Sequence, residues 1–288
     1  MRSALLVVAT MGLLHAGAAR VETIAVRSDT MGIDVPVSVV LPERYATATQ
    51  ERFAVVYMLH GANRDHKSYA GKLTGRLVDA HGVIAVCPDG NRTSWWIDAP
   101  AKPSSRYETF VSSELVTAID RIYHTRPDRA HRAIMGGSMG GHGACWNGFR
   151  HKDVFGAVGS VFGGHELRPH AGKWGLNAIL GDVKISPDVW DGHSVVSIAP
   201  SLKNGDIELM MVVGTEDFFL AHNRKLHDIL SRNGVGHAYV EVCGPDPAHS
   251  RHTRDFFDMV EPLVFRFLAG YFRTGKGMTA ETHELGGN

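Results

Sequence analysis

Arg132-Ala133-Ile134-Met135-Gly136-Gly137-Ser138-Met139-Gly140-Gly141-His142-Gly143-Ala144 is the stretch whose reading decides the fold. A short apolar run enters it, small residues fill its middle, and a helix-compatible run leaves it. Its centre, Gly136-x-Ser138-x-Gly140, is the pattern of a nucleophile elbow. The reason for the glycines is steric: a serine thrust out on a sharp strand-to-helix turn needs neighbours two before and two after that carry almost no side chain. Such a serine stands at a helix N-terminus, where outward-pointing N–H groups can stabilise an oxyanion. The chain has 32 glycines, so five letters could match by chance, and the surroundings have to carry the reading.

Outward from the elbow, strands and helices alternate. Val21 to Arg27 and Val35 to Leu41 are β-branched runs split by Ser28-Asp29-Thr30-Met31-Gly32, a hairpin signal, and Pro36 suits an edge strand. Phe53 to Leu59 and Val83 to Cys87 are unalternating apolar runs, which suits strands buried on both faces. A helix is expected over 69–80 between them. Tyr107 to Tyr123 reads as a helix with Val111, Leu115, Ala118 and Ile122 in one stripe, and with Glu108 and Glu114 as structural or surface groups. His131 to Met135 is the strand into the elbow and Met139 to Arg150 the helix out of it. Val154 to Phe162, Ile207 to Val213 and Ala238 to Cys243 are further strands; 220–233 and 255–272 are helices, and 165–204 is an excursion that could act as a cap. The expectation is an α/β fold with a mostly parallel, doubly wound sheet flanked by helices and an N-terminal antiparallel hairpin.

The bulk composition narrows the function. Thirty lysines and arginines balance thirty aspartates and glutamates, so no single-signed field points to nucleic acid or an anionic membrane surface. An apolar fraction of 44% is enough for a sizeable core in one large α/β domain or two small ones. Residues 1–19 read as a secretory signal peptide: Met1-Arg2, then apolar Ala4 to Leu14, then Ala16-Gly17-Ala18 as a cleavage signal. The run is too short to span a membrane. The expected organisation is therefore a leader at 1–19, one domain at 20–272, a polar tail at 273–288, and a secreted or periplasmic location. Three cysteines, an odd number, leave at least one thiol unpaired, and all three read as buried. Seventeen scattered histidines show no metal spacing, so no metal and no cofactor is expected.

Functional residues in such a sheet gather at the carboxyl ends of the strands. That rule selects His60-Gly61-Ala62, Ser138, Asp217 and the loop with His249 and His252. Acyl transfer by serine needs a base, a carboxylate to orient it, and two N–H groups for the oxyanion. Ser138, Asp217 and a histidine near 250 supply the roles in the chain order Ser, Asp, His. Met139, after the serine, and Ala62, after the early buried strand, supply the two N–H groups. His60 is out of order for a base and reads as structural. Trp95 and Trp96 form either a hydrophobic plug beneath their loop or a wall of the substrate pocket.

These segments resemble an esterase family of α/β-hydrolases that contains esterase D (S-formylglutathione hydrolase), tributyrin and feruloyl esterases, and mycolyltransferases. The resemblance rests on Val56 to Gly61, Pro88-Asp89-Gly90 with Ser94-Trp95-Trp96, Tyr107 to Phe110, Arg132 to Ala144, and Gly214 to Asp217. It implies an α/β-hydrolase fold with Ser138 as nucleophile, Asp217 as orienting acid, and Ala62 and Met139 at the oxyanion. Counting back from Pro262 and Phe267-Leu268, it makes His252 the base, with His249 as runner-up. Arg254 stands where the family has a tryptophan, and Gly137 where it often has a larger apolar residue. The function implied is an exported serine carboxylesterase acting on short-chain acyl esters, such as acetyl or feruloyl groups on carbohydrates. An acyltransferase, an S-formylglutathione hydrolase-like thioesterase and a catalytically silent binding module on the same fold are the alternatives.

Overall fold

The computed structural model describes residues 18–244 and 249–276. The expected leader up to position 17 and the expected tail beyond position 276 lie outside the described residues. Eight strands form one sheet: β1 (Arg20–Ser28), β2 (Ile33–Leu41), β3 (Val55–Leu59), β4 (Ile84–Pro88), β5 (Arg132–Gly137), β6 (Ala157–Val161), β7 (Glu208–Gly214) and β8 (Ala238–Val242). Their order is β1-β2-β4-β3-β5-β6-β7-β8. β2 pairs antiparallel with both β1 and β4, and every later pair is parallel. Nine α-helical segments accompany them: α1 (Lys72–His81), α2 (Tyr107–Thr109), α3 (Val116–Ile122), α4 (Met139–Arg150), α5 (Leu176–Leu180), α6 (Pro187–Gly192), α7 (Val195–Ile198), α8 (Leu220–Arg232) and α9 (Arg254–Thr274) among the described residues.

The central strands are apolar throughout because both faces are covered. Along β3, Val55, Tyr57 and Leu59 enter the core under α4, α8 and the 107–122 segment, while Val56 and Met58 enter the core under α1 and α9. The two-residue period of a strand sorts one apolar run into two separate cores. The domain is thus three layers, helix on sheet on helix, and it is the doubly wound α/β-hydrolase arrangement that the alternation implies.

Two details depart from the sequence pattern. Pro36 lies in an interior strand, not an edge. Its carbonyl accepts the Asp89 N–H at 2.8 Å, just beyond Val37↔Pro88, the first pair of the β2–β4 ladder. The N–H it lacks would point the same way, where β4 has ended, so the ladder loses nothing. The 107–122 helix is α-helical only at its ends, with a π-helical stretch over Phe110–Leu115. The wider turn advances the apolar stripe by one residue. Val111, Leu115 and Ile119 are buried, while Ala118 and Ile122 are only partly so.

α9 begins beside the site. Thr253 caps it, its hydroxyl accepting the Phe256 N–H at 3.1 Å, and Gly275 ends it in the left-handed region. A Thr cap contributes about 1 kcal/mol, and it anchors the backbone immediately after His252.

Candidate active site

Ser138 carries φ 61° and ψ −120°, a strained conformation for a residue with a side chain. The two flanking glycines permit it. A Cβ built on Gly136 would lie 2.5 Å from the Leu59 carbonyl oxygen and from the backbone of Gly140. One built on Gly140 would overlap the Leu59 carbonyl outright. The elbow thus packs backbone against backbone over the end of β3. Val161 holds the serine's own N–H at 3.0 Å through its carbonyl. α4 leaves directly from Ser138, which puts the Met139 N–H at the positive end of a buried helix.

Asp217 follows β7 in a turn closed by its N–H to the Gly214 carbonyl at 3.1 Å. Its side chain has no solvent exposure. Oδ1 accepts the Phe219 N–H at 2.7 Å and Oδ2 accepts from His252 Nδ1 at 2.9 Å. A carboxylate offers only acceptors, so Nδ1 carries the imidazole proton and Nε2 presents a lone pair. The rings of Phe162 and Phe218 flank the imidazole, with centroids 4.2 and 4.3 Å away. Phe162 is itself held at a positive φ of 38°. The Glu216 N–H bonds the Ser250 carbonyl at 3.0 Å, tying the acid's turn to the histidine's loop. Of the two histidines singled out in that loop, His252 is the one bonded to Asp217, and His249 is not part of the cavity.

The turn after β3 lies against the elbow, where a Cβ on Gly61 would sit 3.3 Å from Ser138 Cβ. Among the described residues neither the Ala62 N–H nor the Met139 N–H has a hydrogen-bond acceptor. His60 anchors this turn. Burial lowers its pKa, so it is neutral: Nδ1–H donates to the Gly61 carbonyl at 2.9 Å, and Nε2 accepts the Gly90 N–H at 2.8 Å.

Trp95 and Trp96 do not line the pocket. Both are fully buried beneath it. Trp96 Nε1–H donates to the His60 carbonyl at 3.1 Å, and its ring fills the space over Gly90 and Gly143. Trp95 Nε1–H donates to the Trp174 carbonyl at 3.1 Å. Of the two readings of this pair the plug holds, because a doublet at positive φ, 53° and 60°, turns both rings inward.

Ser138 and His252 open into one cavity of about 400 Å³ together with Ala62, Phe162, Trp174 and Phe218. The 165–204 excursion supplies Trp174, stacked on Phe218 with centroids 5.8 Å apart and planes 19° apart. Neither residue stands out from sequence; the signal available is a lone tryptophan between Gly172 and Gly175. At Gly137 the missing side chain is replaced in space by Phe257 and Phe162, whose ring atoms come within 2.9 and 3.0 Å of a Cβ built there. Among the described residues no group of three or more His, Cys, Asp or Glu side chains could hold a metal, and no helix is long and apolar enough to cross a membrane. Cys87 and Cys145 are buried, but Cys243, expected to be buried, is exposed.

The model of the Esterase ("Putative esterase") family matches residues 28–252, more than half of the chain. The chain belongs to that family. Two esterases of Mycobacterium tuberculosis, from strains CDC 1551 / Oshkosh and ATCC 25618 / H37Rv, are each 27% identical to it over 247 residues, covering 76% of this chain and 54% of theirs. The chain thus spans about half the length of these curated relatives. The S-formylglutathione hydrolase of Bos taurus is 23% identical over 251 residues, 75% of this chain and 86% of that protein. A ferulic acid esterase structure superposes with a TM-score of 0.74 at 23% identity over 88% of this chain and 99% of that one. At that identity the likeness is one of fold. The chain is thus a member of an esterase family with an α/β-hydrolase domain, and its family match ends at the histidine bonded to Asp217.

Proposed function

We propose that this chain is an exported serine carboxylesterase that hydrolyses short-chain acyl esters through an acyl-enzyme on Ser138. One observation carries the reading: the buried Asp217 carboxylate holds His252 in the Nδ1–H tautomer at 2.9 Å, and that imidazole shares a cavity with a serine on a strained elbow.

In this mechanism Nε2 of His252 takes the Ser138 hydroxyl proton as Oγ attacks the ester carbonyl carbon. The carbonyl oxygen becomes an oxyanion facing the Ala62 and Met139 N–H groups, at the head of α4. The tetrahedral species collapses with cleavage of the bond to the alcohol oxygen, which receives the proton from His252. A water then gives a proton to Nε2, adds to the acyl carbon, and Ser138 leaves with that proton. Asp217 stays ionised throughout and stabilises the imidazolium.

The cavity's size suits acetyl and similarly small groups, and the Trp174–Phe218 stack supports an aromatic acyl group such as feruloyl on a carbohydrate. The relationship to S-formylglutathione hydrolases supports a thioester as the second substrate class. Export is proposed from the basic, apolar and small-residue succession of residues 1–19. Ser138→Ala should abolish hydrolysis of 4-nitrophenyl acetate and labelling by a fluorophosphonate while leaving the circular dichroism spectrum unchanged. His252→Ala should match that loss and His249→Ala should not. Turnover by Ser138→Ala at the native rate would overturn the reading.

A further inference from the structure

The cavity beside Ser138 has an unbalanced charge. Among the described residues no aspartate or glutamate lines it, whereas Arg64 and Arg254 both do. Arg64 follows the Ala62 turn, and its N–H closes that turn on the Gly61 carbonyl at 3.2 Å. Its guanidinium has no acceptor among the described residues. Arg254 follows His252 by two residues and is fixed in place. It lies over the rings of Tyr69 and Phe257, 5.3 and 5.7 Å from their centroids, donates through Nη1 to the Ser68 carbonyl, and pairs through Nε with Asp258 at 2.7 Å. Asp258 balances Arg254, so Arg64 supplies the net charge, and Arg254 adds a rigid, preorganised donor.

A second cleft of about 350 Å³ adjoins the first through Asn63 and Arg64, and it is lined by Asp34, Asp65 and Asp89 along with Arg92. Those carboxylates would repel an anion, which leaves the Arg254 side of Arg64 as the favourable seat.

We propose that this cavity selects esters bearing a carboxylate, seated against Arg64 and Arg254. The inference rests on the esterase reading and deepens it. Arg64, whose guanidinium has no acceptor among the described residues, and Arg254, held by Asp258 and the Tyr69 and Phe257 rings at the same cavity, mark the seat.

The carboxylate could belong to either half of the ester, and two pairs of substrates separate the cases. 4-Nitrophenyl hydrogen succinate against 4-nitrophenyl butyrate places the charge on the acyl half. O-Acetylglycolate against ethyl acetate, followed by released acetate, places it on the alcohol half. In one of the pairs kcat/KM should favour the anionic ester by roughly tenfold. The preference should shrink as sodium chloride is raised, fall to near unity in Arg64→Gln, and largely survive in Arg64→Lys. Equal kcat/KM within both pairs would overturn the proposal while leaving the esterase reading intact. So would a preference that Arg64→Gln retains. No turnover of any of the four would overturn the esterase reading and this one with it.

Discussion

Asp217→Asn changes one atom's chemistry and nothing of its shape. Oδ1 of Asp217 accepts the Phe219 N–H at 2.7 Å, so the asparagine's carbonyl oxygen must take that place. Its amide NH₂ then faces His252 Nδ1, where Oδ2 now accepts at 2.9 Å. A donor there forces Nδ1 to become the acceptor and moves the imidazole proton to Nε2, the nitrogen that has to receive the Ser138 proton. A base holding its proton on the wrong nitrogen costs about 10⁴-fold in kcat, or about 5 kcal/mol of transition-state stabilisation. Both hydrogen bonds survive, the one to Phe219 unchanged and the one to His252 with its roles exchanged, so the fold should not change. The assay is steady-state hydrolysis of 4-nitrophenyl acetate at neutral pH, with circular dichroism and thermal unfolding as controls for structure. A loss below tenfold in a natively folded variant would refute the tautomer argument.

Other expectations concern stability. Burial drives His142 down to about 4 from the usual 6.5, against the pull of the His193 and Trp95 carbonyls; burial also lowers His222 to about 4 and holds His165 well below the usual value. The unfolded chain takes up these protons first as the pH falls. The stabilisation is therefore complete above about pH 6.5 and is lost as the pH falls toward 4. His142 alone accounts for about 3 kcal/mol at pH 4, and a melting temperature equal at pH 7 and pH 4.5 would contradict this. Trp96→Ala empties a fully buried site and removes the donor to the His60 carbonyl, which should cost about 3–5 kcal/mol in urea unfolding; a change under about 1 kcal/mol would show that the ring is no plug. Gly140→Ala sets a methyl group onto the Leu59 carbonyl, a backbone atom inside the sheet, so soluble folded protein should be lost; a native melting temperature would refute the stated packing of the elbow.

Much of the fold was readable because strand and helix periods differ. The apolar runs at β3, β4 and β5 marked strands covered on both faces, and the run from Met139 to Arg150 matched α4 to the residue. The 107–122 stripe slipped by one position because a π turn leaves no local signature in apolar spacing. Pro36 sat in an interior strand because whether an N–H is needed depends on where the neighbouring strand ends. For the site, Ser138 and Asp217 were legible as residues at strand ends in a fixed order. His249 and His252 lie three residues apart, and spacing alone does not choose between them; the bond from His252 Nδ1 to Asp217 does. Trp174, Phe218 and Phe162 reach the cavity from three separate segments, a convergence that no single window of sequence contains.

The elbow shows the division most clearly. Sequence alone determined its chemistry, since only small residues at 136 and 140 allow a serine to be held at a positive φ between strand and helix. What only the tertiary structure decided was the company Ser138 keeps. Long-range packing placed Trp96 beneath the site instead of in its wall, chose His252 as the partner of Asp217, and brought Arg64 and Arg254 from positions 190 residues apart to the rim of one cavity. Local sequence sets backbone conformation through steric contact within a turn. The lining of a pocket depends on which loops the sheet order brings side by side, and the β3-β5-β6-β7-β8 neighbourhood arises only when the whole chain has folded.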